Sequence, residues 1–348
     1  MKQLSHLVIL TLMLAQPVFS QKKYDIKTIA FYNLENLFDI VDDTIKLDES
    51  SPIMAIQENR SAIYQLKLNN MAKVLSEIGV EEAKNSPVII GVAEIENYTV
   101  LEDLVNTVFL KDKQYGIIHY DSPDLRGIDV GLLYRTNHFK PIYHETFELR
   151  LWGDDGYRIF TRDQLLVSGY LGDELIHIIV NHWPSRLGGE AKSRSKREKA
   201  AYLNTQIIAK IKETDPNPKI ILMGDLNDDP SNSSLKNILK TKAKKTDVEE
   251  GDIYNPMEEM FRRGQNTLAY RDNINLFDQI MFTSPLLTNT NDFSSYKMYK
   301  TAIFKPQYLT TQTGKYKGYP FRSWGNGGFT GGYSDHYPVY LYVIKEVF

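Results

Sequence analysis

Short runs rich in β-branched and aromatic residues recur along the chain between polar or glycine-containing stretches. Ile26–Tyr32, Val88–Val92, Tyr115–Tyr120, Asp129–Tyr134, Leu175–Asn181, Lys219–Met223, Leu276–Thr283 and Tyr337–Ile344 are each expected to be a strand. Between the first two, Tyr64, Leu68, Met71, Ala72, Leu75 and Ile78 fall on one face of a helix. Ala200, Leu203, Ile207, Ile208 and Ile211 repeat that spacing after a polar start over Glu190–Lys199, and predict a second helix. Several strands follow one another with no helix between them. That argues against a doubly wound parallel sheet and for an α/β sandwich with mixed sheets. No tandem repeat or long Pro/Gly/Ser linker divides the chain, so one domain is expected over 21–348.

The first twenty residues read differently. Lys2, the apolar run Leu7–Leu14, Pro17 and the ending Val18-Phe19-Ser20 have the layout of a secretory signal peptide cleaved before Gln21. Export to the periplasm or the medium follows as an expectation. That run is too short to cross a bilayer, which needs about 20 residues, and no later run is long enough, so stable membrane insertion is not expected. The 348 residues contain no cysteine, which excludes disulfides, zinc ribbons, iron–sulfur clusters and thiol catalysis. A formal charge of −3 gives no global cationic field for a polyanion, so any grip on one must be local. A monomer is the expected state.

Polar residues cluster where the expected strands end. Asn33 and Glu35 follow the first, Glu94 and Glu96 the second, His182 the fifth, and Asp225 and Asn227 the sixth. Asp278 sits within the seventh, and Asp335-His336 precede the last. Carboxylates are costly to bury alone, so several converging ones imply a cation or a hydrogen-bond network. An oxygen-rich set of carboxylates and amides suits Mg²⁺, with Mn²⁺ as the alternative, rather than Zn²⁺. Asp129 and Arg162 are expected in structural ion pairs.

The same residues carry a resemblance. Phe31–Asp39 (FYNLENLFD), Gly91–Asn97 (GVAEIEN), Gly127–Tyr134 (GIDVGLLY), Asn181–Arg186 (NHWPSR), Gly224–Asp228 (GDLND), Phe277–Ile280 (FDQI) and Ser334–Pro338 (SDHYP) occur in order. The ordered set resembles the endonuclease/exonuclease/phosphatase superfamily, with the DNase I-like fold. The resemblance implies a four-layer α/β sandwich, two mixed sheets face to face with helices outside, and a metal-dependent phosphoesterase. By position it implies Asn33, Glu94 and Asp335 on the metal side, with Glu94 the principal Mg²⁺ ligand. It implies catalytic roles for His182, Asp225, Asn227, Asp278 and His336. Asp225 and Asn227 would orient the attacking water and the phosphate, and Asp278 would hold His336. Ala93 stands where the family usually has glutamine before the ligand.

Phosphodiester hydrolysis needs an in-line water, neutralised phosphoryl oxygens and help for the leaving alkoxide. His336 can give or take a proton near neutral pH, and His182, as imidazolium, would protonate the leaving oxygen or pin the phosphate. Either histidine can serve as acid or base in this reading, and Asp225 is a third candidate for the base.

Two segments bear on substrate. Arg186–Lys199 holds six basic residues, either a grip on a phosphate backbone or a solvated helix face. Phe293–Ser334 has no acidic residue and carries Lys297, Lys300, Lys305, Lys315, Lys317 and Arg322 among aromatics, which suits a loop that stacks on bases. The expected function is an exported Mg²⁺-dependent phosphodiesterase acting on DNA or RNA. The alternative is the same chemistry on a lipid or small-molecule phosphate, sphingomyelinase-like or inositol-phosphate phosphatase.

Overall fold

The computed structural model describes residues 22–288, 290 and 292–347; the expected signal peptide lies outside them. Twelve strands form two six-stranded mixed sheets. The first sheet comprises β1 (Lys23–Leu37), β2 (Ile89–Ile95), β3 (Tyr115–His119) and β4 (Asp129–Arg135), with the late strands β11 (Lys297–Ile303) and β12 (Val339–Val347), in the order β11-β12-β1-β2-β4-β3. The second comprises β5 (Phe139–Phe147), β6 (Gln164–Leu171), β7 (Glu174–His182), β8 (Ile220–Asp225), β9 (Ile253–Tyr254) and β10 (Asp278–Thr283), in the order β9-β10-β8-β7-β6-β5. Each sheet has one parallel pair, β1 with β2 and β7 with β8, and every other pairing is antiparallel. Each parallel pair is bridged by a helix, α1 (Arg60–Glu77) in the first and α3 (Glu190–Lys212) in the second. A shorter helix, α2 (Tyr98–Val105), follows β2.

Alternation along the strands explains the layering. On β8, Ile221 and Met223 face the other sheet and meet Ile29, Phe31 and Ile89, whereas Ile220 and Leu222 face α3. Both faces are covered, which is why this strand reads as an unbroken apolar run. The arc predicted for α1, from Tyr64 to Ile78, is buried with Ala30, Tyr32, Ile90 and Val92 on the outer face of the first sheet. Ala200, Ala201, Ile207, Ile208 and Ile211 of α3 do the same on the second. The result is the four-layer sandwich expected.

All eight predicted strands are present. Four were missed: Phe139–Phe147, Gln164–Leu171, the two-residue Ile253–Tyr254 and Lys297–Ile303. Two of these are edge strands interrupted by bulges, one at Pro141 and one at Met298–Lys300, which blur the period-2 signal. Gln164–Leu171 contains Gly169, where a Cβ would lie 2.5 Å from the Phe139 ring. The segment read as one long loop, Phe293–Ser334, therefore begins as the edge strand β11.

Candidate active site

The carboxyl ends of the parallel pairs lie at one edge of the sandwich, the position at which α/β sheets commonly build sites. Asn33 lies near the end of β1, Glu94 near the end of β2, His182 closes β7 and Asp225 closes β8. The antiparallel neighbours contribute their first residues: Asp278 opens β10 opposite Asp225, and Asp335-His336 lead into β12.

Backbone distortion aims these side chains. Glu94 is the extra residue of a bulge against β4, between Ala93 and Ile95, stands opposite a three-residue bulge of β1 (Leu34–Asn36), and has φ +57°. Glu35 (+48°), Asn36 (+53°) and Asn227 (+50°) share the left-handed region. Each such non-glycine residue costs on the order of 1–3 kcal/mol, and four at one edge concentrate strain where side-chain aim matters.

Asp225 Oδ2 is the hub. Asn33 Nδ2 donates to it at 3.1 Å and to Glu94 Oε1 at 3.1 Å, while Glu94 Oε2 accepts the Asn36 N–H at 3.0 Å. His182 Nε2 lies 3.7 Å from Asp225 Oδ2 and 3.9 Å from Glu94 Oε1. His336 Nε2 lies 3.9 Å from Asp225 Oδ2, while its Nδ1–H donates to Asp278 Oδ2 at 2.7 Å. Asn227 donates its backbone N–H to Asp225 Oδ1 at 3.0 Å and its side-chain amide to the Trp183 carbonyl at 3.0 Å.

Electrostatics separates the two histidines. Burial, then Arg162, Arg126 and His336, hold His182 well below its ordinary pKa, so it is neutral at pH 7. This corrects the expectation of an imidazolium there. Burial opposes charge on His336 too, but Asp278 and Asp225 raise it well above the ordinary value, and it carries a proton. Burial and the neighbouring Asp278 and Glu94 push Asp225 up to about 7, against the pull of His336.

Two of the expected metal-side residues are placed otherwise. Asn33 Oδ1 is taken by the Glu35 N–H at 2.9 Å, so the amide nitrogen, not the oxygen, faces the carboxylates and Asn33 positions them. Asp335 sits beside His336, with Oδ1 3.8 Å from Nε2, and its Oδ2 accepts from Arg322 Nη2 at 3.2 Å. It is not among the donor atoms that converge with Glu94.

A model of the endonuclease/exonuclease/phosphatase family matches residues 28–345. The chain belongs to that family. No curated protein matches the chain. Among solved structures, an endonuclease/exonuclease/phosphatase family protein from Bacteroides thetaiotaomicron is similar at TM-score 0.55 and 16% identity, covering 94% of this chain and 100% of its own. A mannosyl-6-phosphatase from B. thetaiotaomicron VPI-5482 gives 0.52 and 16%, over 92% and 100%. D. rerio TDP2, humanized by 14 mutations, gives 0.51 and 13%, over 92% and 99%. At these identities the likeness is one of fold. As an endonuclease/exonuclease/phosphatase protein, the chain is a metal-dependent phosphoric ester hydrolase.

The residues present fit a divalent ion. Glu94, His182 and Asp225 each bring one donor atom within 4.8 Å of the others. The gaps of 3.7 and 3.9 Å at His182 are too wide for hydrogen bonds and of the order spanned by two ligands of one ion. Among the described residues no lysine or arginine pairs with Glu94 or Asp225; the two carboxylates share the Asn33 amide and each accepts one backbone N–H besides.

The reading from sequence missed the support behind this edge. Lys67 is fully buried on α1 and donates to the carbonyls of Leu34 and Glu35 at 2.9 Å each and to Ser323 Oγ at 2.7 Å. Burial brings it down to about 8. A lysine on the apolar arc between Tyr64 and Met71 was the available signal. Arg162, also buried, links Asp124 Oδ2 at 3.2 Å to the Trp183 carbonyl at 2.7 Å, and Asp129 pairs with His119. In the basic segment, Arg197 is buried against Asp228, and Arg186 reaches Asp228, Asp229 and Asn232. Neither is free to grip a phosphate backbone. Trp324 of the aromatic segment is likewise buried, beside Phe329.

Proposed function

We propose that this phosphoesterase is an exported, Mg²⁺-dependent phosphodiesterase acting on nucleic acid, with Glu94 and Asp225 holding the ion and His182 Nε2 beside it. Mg²⁺, when bound, supplies Lewis-acid neutralisation of the phosphoryl oxygens. Asp225 accepts the proton of the attacking water, with Asn33 and the Asn227 N–H fixing its two oxygens. His336, locked by Asp278, presents Nε2–H to the phosphate or the leaving oxygen. Neutral His182 offers the Nε2 lone pair beside the two carboxylates rather than a positive charge.

The observation that carries the substrate reading is the rim on the His336 side. A hairpin over Leu268–Asn275 is joined to His336 by a β-bridge from Leu268, and Tyr319 OH donates to Asp272 at 2.6 Å. Together these elements expose Tyr270, Arg271, Lys315, Tyr316 and Lys317. Cations interleaved with exposed aromatic rings suit a phosphate backbone with stackable bases. Phe293–Ser334 adds no acidic residue to oppose them. The fold shared with a mannosyl-6-phosphatase supports the second reading, a small phosphate monoester.

The test is hydrolysis of plasmid DNA, RNA, a sugar 6-phosphate, sphingomyelin and bis-p-nitrophenyl phosphate, in Mg²⁺ and in EDTA. Metal-dependent cleavage of a nucleic acid, reduced roughly 10²- to 10⁴-fold in His336→Ala, is expected. Turnover of the monoester with both polymers intact would replace this reading with the second. Export is checked by amino-terminal sequencing of the mature protein, expected to begin at Gln21.

A further inference from the structure

A second cluster of carboxylates lies outside this site, in the connection from β1 to α1. Asp42, Asp48 and Glu49 each bring one oxygen within 4.8 Å of the others. Asp42 and Glu49 are exposed, but Asp48 is 1% exposed. Its Oδ2 accepts the Asp43 N–H at 3.0 Å, whereas its Oδ1 is buried with no hydrogen-bond partner. A buried carboxylate oxygen is costly unless something positive faces it. Among the described residues, none of the three carboxylates has a lysine, arginine or histidine within ion-pair distance. The nearby Lys46 is spent on the carbonyls of Ser122, at 2.7 Å, and Asp124, at 3.2 Å.

The geometry points to a Ca²⁺ site formed by Asp42, Asp48 and Glu49, with a ligand set separate from Glu94 and Asp225. The donors are all oxygen, which selects a hard cation. Ca²⁺ takes six to eight oxygens in flexible geometry, bidentate carboxylates included, which suits a buried Asp48 with one oxygen still without a partner, whereas Mg²⁺ demands a near-ideal octahedron. Two exposed carboxylates on a loop leave room for the waters that complete the larger, less regular Ca²⁺ shell. A bound ion would give Asp48 Oδ1 its missing partner and brace this loop against the Ser122–Asp124 turn. Asp124 of that turn holds Arg162, and Arg162 holds the Trp183 carbonyl next to His182, so the brace backs the wall of the active site.

The test titrates CaCl₂ and MgCl₂ into the metal-stripped full chain carrying Glu94→Gln, which weakens the active-site ion, and follows heat and Tm. One Ca²⁺ per chain is expected in that background, with a rise in Tm. Adding Asp42→Asn and Glu49→Gln, both at exposed positions, should weaken Ca²⁺ at least tenfold and abolish the rise in Tm without altering the circular dichroism spectrum. Asp48→Asn should lose the same binding, and the exposed pair carries the test if that variant does not fold. No Ca²⁺ uptake by Glu94→Gln, or uptake undiminished in the triple variant, would overturn the site. Mg²⁺ binding as tightly as Ca²⁺ would overturn the assignment of the ion.

Discussion

Replacing Arg197 by methionine tests whether the catalytic loop after β8 is held from behind. The guanidinium, fully buried on α3, donates to Asp228 Oδ1 at 2.6 Å, Ser193 Oγ at 2.7 Å and the Glu190 carbonyl at 3.2 Å. Asp228, next to Asn227, also accepts from Ser234 Oγ at 2.7 Å, and its carbonyl receives Gln279 Nε2 at 2.7 Å. Methionine keeps much of the apolar stem and removes the charge. Taking one partner from a buried ion pair costs about 3–5 kcal/mol, because the other stays buried and uncompensated. Here Asp228 keeps Ser234 and Arg186 Nη2, the latter at 3.3 Å, so the lower end applies, about 3 kcal/mol. At about 2 °C per kcal/mol for a chain of this size, Tm should fall by roughly 6 °C. Asp228→Asn should cost a similar amount, by stranding the buried guanidinium. The double variant should cost less than the two together, with a coupling of about 2 kcal/mol, since neither charge is then left alone. Urea unfolding of the four proteins measures all of this. A loss below 1 kcal/mol for Arg197→Met, or additive single costs, would refute the argument that this pair anchors the loop.

Gly224 lies one residue before Asp225 at φ +158°, essentially extended, so only space constrains it. A Cβ there would sit 2.3 Å from the Asn181 carbonyl oxygen and 2.6 Å from Asn181 Cβ. Gly224→Ala should cost about 3 kcal/mol or prevent folding, whereas Gly156→Ala, left-handed but with nothing within 4 Å, should cost about 1–2 kcal/mol; equal Tm losses would contradict this. Glu96 is raised to about 8 by burial, with Asp39, Asp48 and Asp43 adding to the shift against a hydrogen bond from the Asp39 N–H. Between pH 4.5 and 8 the folded chain holds a proton there that the unfolded chain has released, so this group stabilises at low pH and the gain is lost as pH rises. In EDTA, Glu96→Gln should flatten the fall of Tm between pH 5 and 8; an unchanged slope would mean the carboxyl is ionised throughout.

What the sequence made legible, and what it hid, divides along physical lines. The strands buried on both faces and the helix arcs follow from apolar periodicity, which burial enforces, so β1, β2, β7, β8 and α1 could be read directly. The edge strands β5 and β11 escaped because one side faces water and a bulge breaks the alternation, leaving β-propensity as the only cue. The site divides in the same way. That Glu94, His182, Asp225, Asp278 and His336 belong together was legible from the ordered motifs at the strand ends and the family they resemble. How they meet was not, because it turns on torsions and proton positions. Asn33 points its nitrogen inward only because the Glu35 N–H claims its oxygen, and Glu35 is free to do so only from a left-handed kink. Arg186 and Arg197 looked like a phosphate grip because a linear string of cations does not reveal that Asp228 and Asp229, some forty and thirty residues on, fold back onto them. A charge run therefore says little until its partners are known, whereas a charge inside an apolar arc, as at Lys67, already implies that something polar waits in the interior.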